Sequence, residues 1–167
     1  DNNTLEFQNG NVNTLTTINV DLTALTDPHD TARVTLNANQ QDADFAFDVE
    51  GSATGDTFEK RNDGVDNNID FNGNDGNDNF ILNGGDAGST TEYDGGAGFD
   101  SVTLSGGQLI DDGFTMMENI ENVDSEAGVA LNVRLGTEAD QANSSGALQV
   151  TGSSLNDDVE SDSQFNN

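Results

Sequence analysis

The most informative stretch of the sequence reads FNGNDGNDNF at residues 71–80 and YDGGAGFDSV at residues 93–102. Each segment places Gly third, Asp eighth and an apolar residue tenth. A related segment, VEGSATGDTF, occupies residues 49–58 with the same internal spacing. Steps of twenty-two residues align three columns, which are Gly51, Gly73 and Gly95, then Asp56, Asp78 and Asp100, and then Phe58, Phe80 and Val102. The constant step indicates an internal repeat.

A repeat of this kind predicts a stack of coils in which equivalent residues lie one strand spacing apart, about 4.8 Å. The apolar column then forms an inward ladder, and the Asp column forms a row of carboxylates at a turn. Two carboxylates about 5 Å apart repel by roughly 3 kcal/mol at an effective dielectric constant of about 20. We therefore expect divalent cations between the rungs.

The rest of the chain is less regular. The segment VTGSSLNDDV at residues 150–159 keeps the spacing of the repeat but does not continue its step. We divide the chain into a β-rich N-terminal segment, the coils of the repeat with their expected cation sites, an irregular β-rich continuation, and a degenerate final repeat with the tail: residues 1–48, 49–104, 105–149 and 150–167. The first segment is compatible with a small β-sandwich or with metal-poor coils. Residues 114–123 are compatible with a short helix or a pair of strand fragments.

Composition narrows the class of protein. Apolar residues make up 32% of the chain, and Asn, Asp, Gly, Thr and Ser abound, which favours an all-β protein with a thin core. Thirty-two acidic residues against four basic ones give a formal net charge of −28. Four scattered cations form no basic patch, so nucleic acid and anionic membranes are excluded as partners. The charge alone would also suit adaptation to high salt, but that leaves the repeat unexplained.

Few residues are available for catalysis. The chain has no Cys, no Trp, a single Tyr and a single His. Cys-based zinc or thiol chemistry is thereby ruled out, and His29 lies beside Pro28 in an expected turn. Paired carboxylates would lack the sugar-stacking aromatic residues of a glycosidase. We expect no enzymatic activity and, since no long apolar run occurs, no insertion into a membrane.

Residues 95–103 match the pattern GGxGxDxUx at every fixed position, where U is a large apolar residue, and residues 73–81 match it with Asn74 in place of the second Gly. This nonapeptide resembles the RTX (haemolysin-type) repeat, which forms calcium-loaded parallel β-rolls. The resemblance implies an all-β fold: a parallel β-roll or β-solenoid with calcium-binding Gly-Asp turns, flanked by a less regular β-rich N-terminal part. It is clear over residues 71–104 and does not extend to residues 1–48.

The resemblance also implies a set of calcium ligands. Ca²⁺ takes roughly six to eight oxygen ligands in flexible geometry, and glycines let backbone carbonyls turn towards the ion. By position, Asp78 and Asp100 would supply the side-chain ligands. The other implied site residues, which supply carbonyls or assist, are Asp56, Gly73, Asp75, Gly76, Asn77, Asp94, Gly95, Ala97 and Gly98.

Two other calcium motifs are worth comparing. Residues 63–70 are similar to the Asp-rich loops of thrombospondin type 3 repeats, although the segment is shorter than that family's unit. An EF-hand is disfavoured because no Glu occupies the twelfth position of an Asp-rich loop.

These features predict an extracellular, calcium-stabilised structural protein that self-assembles on a bacterial cell surface, as an S-layer, adhesin or filament subunit. Its expected partners are further copies of the chain, through the edges or ends of the solenoid, and cell-surface polysaccharide is a further candidate. The alternative is a calcium-dependent RTX module for export and folding of a larger secreted enzyme or toxin. A third option is a ligand-binding adhesin head formed by residues 1–48 and 105–148.

Overall fold

The computed structural model describes residues 3–8, 17–25, 31–37, 46–61, 68–87, 90–143 and 146–161. The strands in these ranges are β1 (Asn3–Gln8), β2 (Thr17–Asp21), β3 (Ala32–Asn37), β4 (Ala46–Glu50), β5 (Thr57–Arg61), β6 (Asn68–Asn72), β7 (Asn79–Asn83), β8 (Thr91–Asp94), β9 (Ser101–Gly106), β10 (Met117–Glu118), β11 (Asn122–Ser125), β12 (Asn132–Leu135), β13 (Gln149–Val150) and β14 (Asp158–Ser161). Helical structure in the same ranges is brief, comprising 3₁₀ turns at Gly84–Asp86 and Asp111–Met116 and the helix α1 (Thr137–Gln141). The protein is therefore mostly β.

Consecutive strands alternate between parallel sheets. The first sheet has the order β1-β3-β5-β7-β9-β11-β13, and the second has the order β10-β8-β6-β4-β2. A third sheet pairs β12 with β14. Every strand pairing within the described ranges is parallel, so each pair of successive strands makes one coil of a solenoid-like stack. Parallel sheets with these connections confirm the expected β-rich, solenoid-like fold in its coarse form.

The register shows the twenty-two-residue step directly. Thr57 pairs with Asn79, and Asn79 pairs with Ser101. In the second sheet Phe71 pairs with Tyr93 at the same step. The strands of the N-terminal segment join the same sheets, because β3 pairs with β5 and β4 with β6. The described parts of residues 1–48 are thus additional coils of the stack and form no separate β-sandwich.

The core is a double ladder of inward side chains. In the first sheet one column runs through Val34, Phe58, Phe80, Val102 and Val123, all buried. The rings of Phe58 and Phe80 stack with their centroids 5.2 Å apart, and Phe58 meets Phe71 of the second sheet at 5.4 Å. Aromatic pairs at this spacing add attraction beyond the burial of their area. The ladder holds the two sheets together.

One inward position carries a charge. Lys60 pairs with Leu36 in register and is buried, although Leu82 and Leu104 on the following strands are apolar. Its Nζ donates a hydrogen bond to Thr91 Oγ1 at 3.0 Å. A buried ammonium group needs such partners, because burial without them is costly.

Residues 114–123, which the sequence left undecided, contain the end of a 3₁₀ turn followed by strand residues. Asp111–Met116 is the 3₁₀ turn, and Met117–Glu118 and the start of β11 are the strand residues. In the Asp-rich loop at residues 63–70, residues 63–67 lie outside the described residues, and Asn68–Asp70 belong to β6. His29 and Pro28 also lie outside the described residues.

Candidate metal centre

The three repeat segments form stacked turns at one corner of the solenoid. Residues 51–56, 73–78 and 95–100 each lead from the second sheet to the first. Backbone hydrogen bonds join successive turns, from Gly51 N to Asn72 O at 2.7 Å and from Gly73 N to Asp94 O at 2.8 Å. The described coils therefore place equivalent turn residues on adjacent rungs.

One oxygen of each repeat Asp links its turn to the previous coil. Asp56 N–H donates to Asp78 Oδ1 at 2.6 Å, and Asp78 N–H donates to Asp100 Oδ1 at 2.7 Å. The same bond extends the column at both ends, from Ala32 N–H to Asp56 Oδ1 at 3.0 Å and from Asp100 N–H to Glu121 Oε2 at 2.7 Å. Asp78 and Asp100 thus lie on neighbouring rungs, as the repeat predicts.

The three turns differ in whether the second carboxylate oxygen of the repeat Asp, Oδ2, has a hydrogen-bond partner. Asp56 Oδ2 accepts a hydrogen bond from Ser52 N–H at 2.6 Å. Asp78 Oδ2 and Asp100 Oδ2 are buried and have no hydrogen-bond partner within the described structure. The two residues are 1% and 0% exposed. Buried polar atoms in proteins nearly always have partners, so these two oxygens need an explanation.

Burial without a partner also changes the acidity of the two groups. Burial raises the pKa of Asp78 to about 8; the hydrogen bond from Asp56 opposes the shift, and the neighbouring carboxylates of Asp100, Asp56 and Asp75 add to it. Burial likewise raises the pKa of Asp100 to about 6. In both cases the protein disfavours the ionised form unless a positive charge approaches.

Glycine leaves room for that charge beside each oxygen. A side-chain carbon on Gly73 would collide with Asp78 Oδ2 and would lie 2.6 Å from the Gly95 carbonyl oxygen. A carbon on Gly95 would collide with the Asn119 carbonyl oxygen and would lie 2.7 Å from Asp100 Oδ2. At each glycine, a carboxylate oxygen of one turn and a carbonyl oxygen of the next coil therefore face the same small space.

The other implied ligands divide into two groups. Gly76, Ala97 and Asp75 connect the two turns, since Gly76 N–H donates to Ala97 O at 2.9 Å and Asp75 bridges to Ala97. Asn77 Oδ1 accepts from Phe99 N–H, and Asp94 Oδ1 accepts from Gly96 N–H, both at 3.0 Å. Gly98 packs directly against the Gly76 carbonyl. The Oδ1 atoms of Asn77 and Asp94 therefore already have protein partners, unlike Asp78 Oδ2 and Asp100 Oδ2.

Two residues at this corner were not foreseen from the sequence. Glu121 closes the Asp column, and Asn119 supplies the carbonyl opposite Asp100 and has a positive φ of 54°. Glu121 follows Asp100 by twenty-one residues, and its turn, between β10 and β11, is shorter than the repeat turns, so it does not match the motif. The longer side chain of Glu121 nevertheless reaches the Asp100 N–H.

The segment at residues 150–159 forms a turn at a different corner, between β13 and β14. Asp157 Oδ1 accepts from Leu131 N–H at 2.8 Å, and Asp157 Oδ2 accepts from Ser153 N–H at 2.7 Å. The hydroxyl of Ser153 adds a bond to Oδ1 at 2.6 Å. Hydrogen bonds from Ser153 and Leu131 lower the pKa of Asp157, so its charge is stabilised without a cation.

The donor set suits Ca²⁺. Over the described ranges, no three Asp, Glu, His or Cys side chains form a ready-made cluster. The available ligands are instead carboxylate oxygens paired with backbone carbonyls, which Ca²⁺ accepts in flexible geometry. The residues present therefore fit the ion that the motif implies.

Comparison with protein-family models, with curated proteins and with solved structures gave no match. None of the helices in the described ranges is long and apolar enough to cross a membrane.

Proposed function

We propose that this chain is part of an extracellular, calcium-stabilised structural protein that self-assembles on a cell surface. One observation carries the proposal: the buried, unpartnered Oδ2 atoms of Asp78 and Asp100 in the two turns that match the glycine motif. Ca²⁺ at these turns would bind Asp78 with the Gly95 carbonyl, and Asp100 with the Asn119 carbonyl. The ion supplies positive charge that ties one coil to the next.

The proposed compartment follows from the chemistry of the site. Extracellular calcium modules bind with dissociation constants of about 10⁻⁴ to 10⁻³ M, which only extracellular calcium concentrations satisfy. The sequence has no Cys to form disulfides, so metal ions are the available cross-links. Inside the cell, where calcium is scarce, repulsion within a chain of net charge −28 would oppose compaction.

The proposed assembly uses the ends of the stack. β1 and β13 are the outermost strands of the first sheet. An outermost strand presents backbone N–H and C=O groups to a further strand. A second copy of the chain, added end to end, would continue the parallel sheets as an S-layer, adhesin or filament subunit.

Circular dichroism in calcium and in excess EGTA tests the proposal. We expect a β spectrum in calcium and its loss in EGTA, with electron microscopy showing polymers or sheets only in calcium. Potassium chloride at matched ionic strength is the control, because a protein adapted only to high salt would respond to it equally. A β spectrum that EGTA leaves unchanged would contradict calcium stabilisation.

The same site is compatible with an RTX module for export and folding of a larger secreted enzyme or toxin. Such a module would also fold only where calcium is plentiful. Calcium-dependent folding without polymers in the electron microscope would favour this alternative.

A further inference from the structure

Four turns in the described chain share the Gly-to-Asp spacing but differ in one hydrogen bond. In turns 51–56 and 152–157 the N–H of the second residue, Ser52 or Ser153, donates to the Oδ2 of the turn's own Asp. We name these the closed turns. In turns 73–78 and 95–100, the open turns, the equivalent N–H points elsewhere and the Asp Oδ2 is left without a partner.

The N–H of an open turn is held by the residue two positions earlier. Asn74 N–H donates to Asn72 Oδ1 at 3.1 Å, and Gly96 N–H donates to Asp94 Oδ1 at 3.0 Å. These are the bonds of an Asx turn, in which an Asn or Asp side chain caps the backbone two residues on. Each open turn thus satisfies its second N–H without using the repeat Asp.

The backbone angle at the second residue also differs between the two kinds of turn. Asn74 has a φ of 70° and Gly96 has a φ of 81°, whereas neither Ser52 nor Ser153 has a positive φ. The left-handed region costs most residues about 1–2 kcal/mol, while Gly and, to a lesser degree, Asn adopt it readily. The residue type at this position therefore sets how readily the backbone adopts the open form.

We infer that the second residue of each turn, at positions 52, 74, 96 and 153, determines whether that turn can take a divalent cation. Ser closes the turn because its own N–H occupies the oxygen that an ion would bind. Asn or Gly opens it and leaves that oxygen for Ca²⁺. This inference rests on the proposed function and adds to it a rule for which turns bind, giving two ions among the described turns.

The fourth residue of the turn supports the open form. Both open turns have Gly there for a steric reason: a side-chain carbon on Gly76, whose φ is 127°, would lie 2.6 Å from a Thr54 backbone carbon, and one on Gly98, whose φ is not positive, would collide with the Gly76 carbonyl. The closed turns have Thr54 and Leu155 at this position. Converting a closed turn should therefore need both positions, as in Ser52→Asn with Thr54→Gly.

Calorimetric titration of the whole chain with CaCl₂ tests the rule. We expect two ions for the native sequence, one for Asn74→Ser, and three for Ser52→Asn/Thr54→Gly. Asn74→Gly is the matched control: it also loses the side-chain bonds of Asn74 to Glu50 and to the Gly51 carbonyl, but it keeps a positive φ. We expect this control to retain two ions.

Position 74 is preferred to position 96 for the loss variant. A side chain on Gly96 would collide with the Asn74 carbonyl, so a Gly96 variant could fail by misfolding. Circular dichroism in calcium checks that Asn74→Ser keeps the β spectrum. The variant with a gained site tests the rule independently should Asn74→Ser fail to fold.

The outcomes separate the two proposals. Two ions in both the native chain and folded Asn74→Ser, or no gain in Ser52→Asn/Thr54→Gly, would overturn the rule and leave the proposed function standing. No calcium bound by the native chain would overturn both. If Asn74→Ser and Asn74→Gly both bind one ion fewer than the native chain, the effect comes from the lost side-chain bonds of Asn74, and the rule is overturned.

Discussion

Each repeat Asp has two oxygens with separate tasks. Oδ1 of Asp78 accepts the Asp56 N–H and joins two coils, whereas Oδ2 is buried without a partner. A buried unsatisfied polar atom costs about 1–3 kcal/mol, and a charged one costs more. Asp78 therefore stabilises the stack through Oδ1 and destabilises it through Oδ2 in the absence of a cation.

We predict that Asp78→Asn makes the protein more stable without calcium and removes one calcium ion from the loaded protein. The amide keeps the Oδ1 acceptor but removes the buried charge. In EGTA the variant should therefore have a β spectrum closer to that of the calcium-loaded protein, and its free energy of unfolding, measured by urea titration, should be about 1–3 kcal/mol higher than that of the native chain. In calcium the variant should bind one ion fewer. Asp56→Asn is the control, because both Asp56 oxygens already have partners, and it should leave the ion count unchanged. An unaltered count for Asp78→Asn would contradict the assignment.

Glu59 is a buried carboxylate that, unlike Asp78, has positively charged partners. Its side chain is 6% exposed, and it bonds the guanidinium groups of Arg33 and Arg61. Burial alone would raise the pKa of Glu59, but the hydrogen bonds from Arg61 and Arg33 outweigh it and lower the pKa below its usual value. A carboxylate with a lowered pKa stabilises the folded state above the pKa of the unfolded chain, and the contribution disappears as pH falls through the folded pKa.

We therefore predict that Glu59→Gln destabilises the protein at pH 7 and that the difference from the native chain shrinks as pH falls below about 4. Urea unfolding at constant calcium, repeated from pH 7 to below about pH 4, measures this difference in the free energy of unfolding. Glu160→Gln is the control, because the Arg134–Glu160 pair, at 2.6 Å, is more than half exposed on both sides and exposed pairs contribute about 0–1 kcal/mol. An equal pH dependence in the two variants would refute the argument.

At the scale of elements, the coils with the glycine motif could be predicted from the sequence, and the N-terminal coils could not. The glycine and aspartate positions of the two motif turns, and the inward Phe and Val of their strands, were readable because the same twenty-two-residue step carries both. The N-terminal coils were not readable in this way. Thr17 pairs with Ala46 and Arg33 with Thr57, which are steps of twenty-nine and twenty-four residues.

The reason is physical. A solenoid requires neighbouring strands to match in register, while the connections outside the sheets can vary in length. Only coils with equal connections show a period in the sequence. Lys60 and Glu121 were missed for a related reason: each replaces the residue type of its column, and its partner lies on another coil.

We predict that Gly73→Ala disrupts the turn. The added methyl group would overlap Asp78 Oδ2 and the Gly95 carbonyl, and overpacking of this kind typically costs about 1–3 kcal/mol. It would also fill the space proposed for the ion, so calcium should no longer raise the melting temperature to the native value. Gly85→Ala is the control, since its nearest neighbour atom is Asn83 Oδ1 at 3.5 Å. Equal melting temperatures for the two variants in calcium would show that Gly73 has no special role.

At the scale of the whole molecule, charge is arranged in columns as regular as those of the core. On the outer face of the second sheet Asp48, Asp70 and Glu92 pair in register. Burial, followed by the charges of Glu92 and Asp48, raises the pKa of Asp70. In a stack of this kind stability is close to a sum of contacts between neighbouring coils, so on the proposed function each junction would respond to calcium separately.

Hydrogen exchange just below calcium saturation should reveal this independence. We predict that the amides of Asp56 and Asp78, which donate to Asp78 and Asp100, exchange at least about tenfold faster than at saturation. The amides of Ala32 and Leu131 donate to the closed-turn carboxylates of Asp56 and Asp157 and should change far less. Uniform acceleration at all four amides would indicate that calcium acts on the molecule as one unit.

The parallel pairing of the described strands has a mechanical consequence. The ladder hydrogen bonds run along the stack, so a force that pulls the first and last coils apart acts on one junction after another. Each twenty-two-residue coil that peels away releases a segment about 75 Å long when extended. Such a chain would lengthen in successive increments, and the open turns, if an ion joined their two rungs, would be the last to separate.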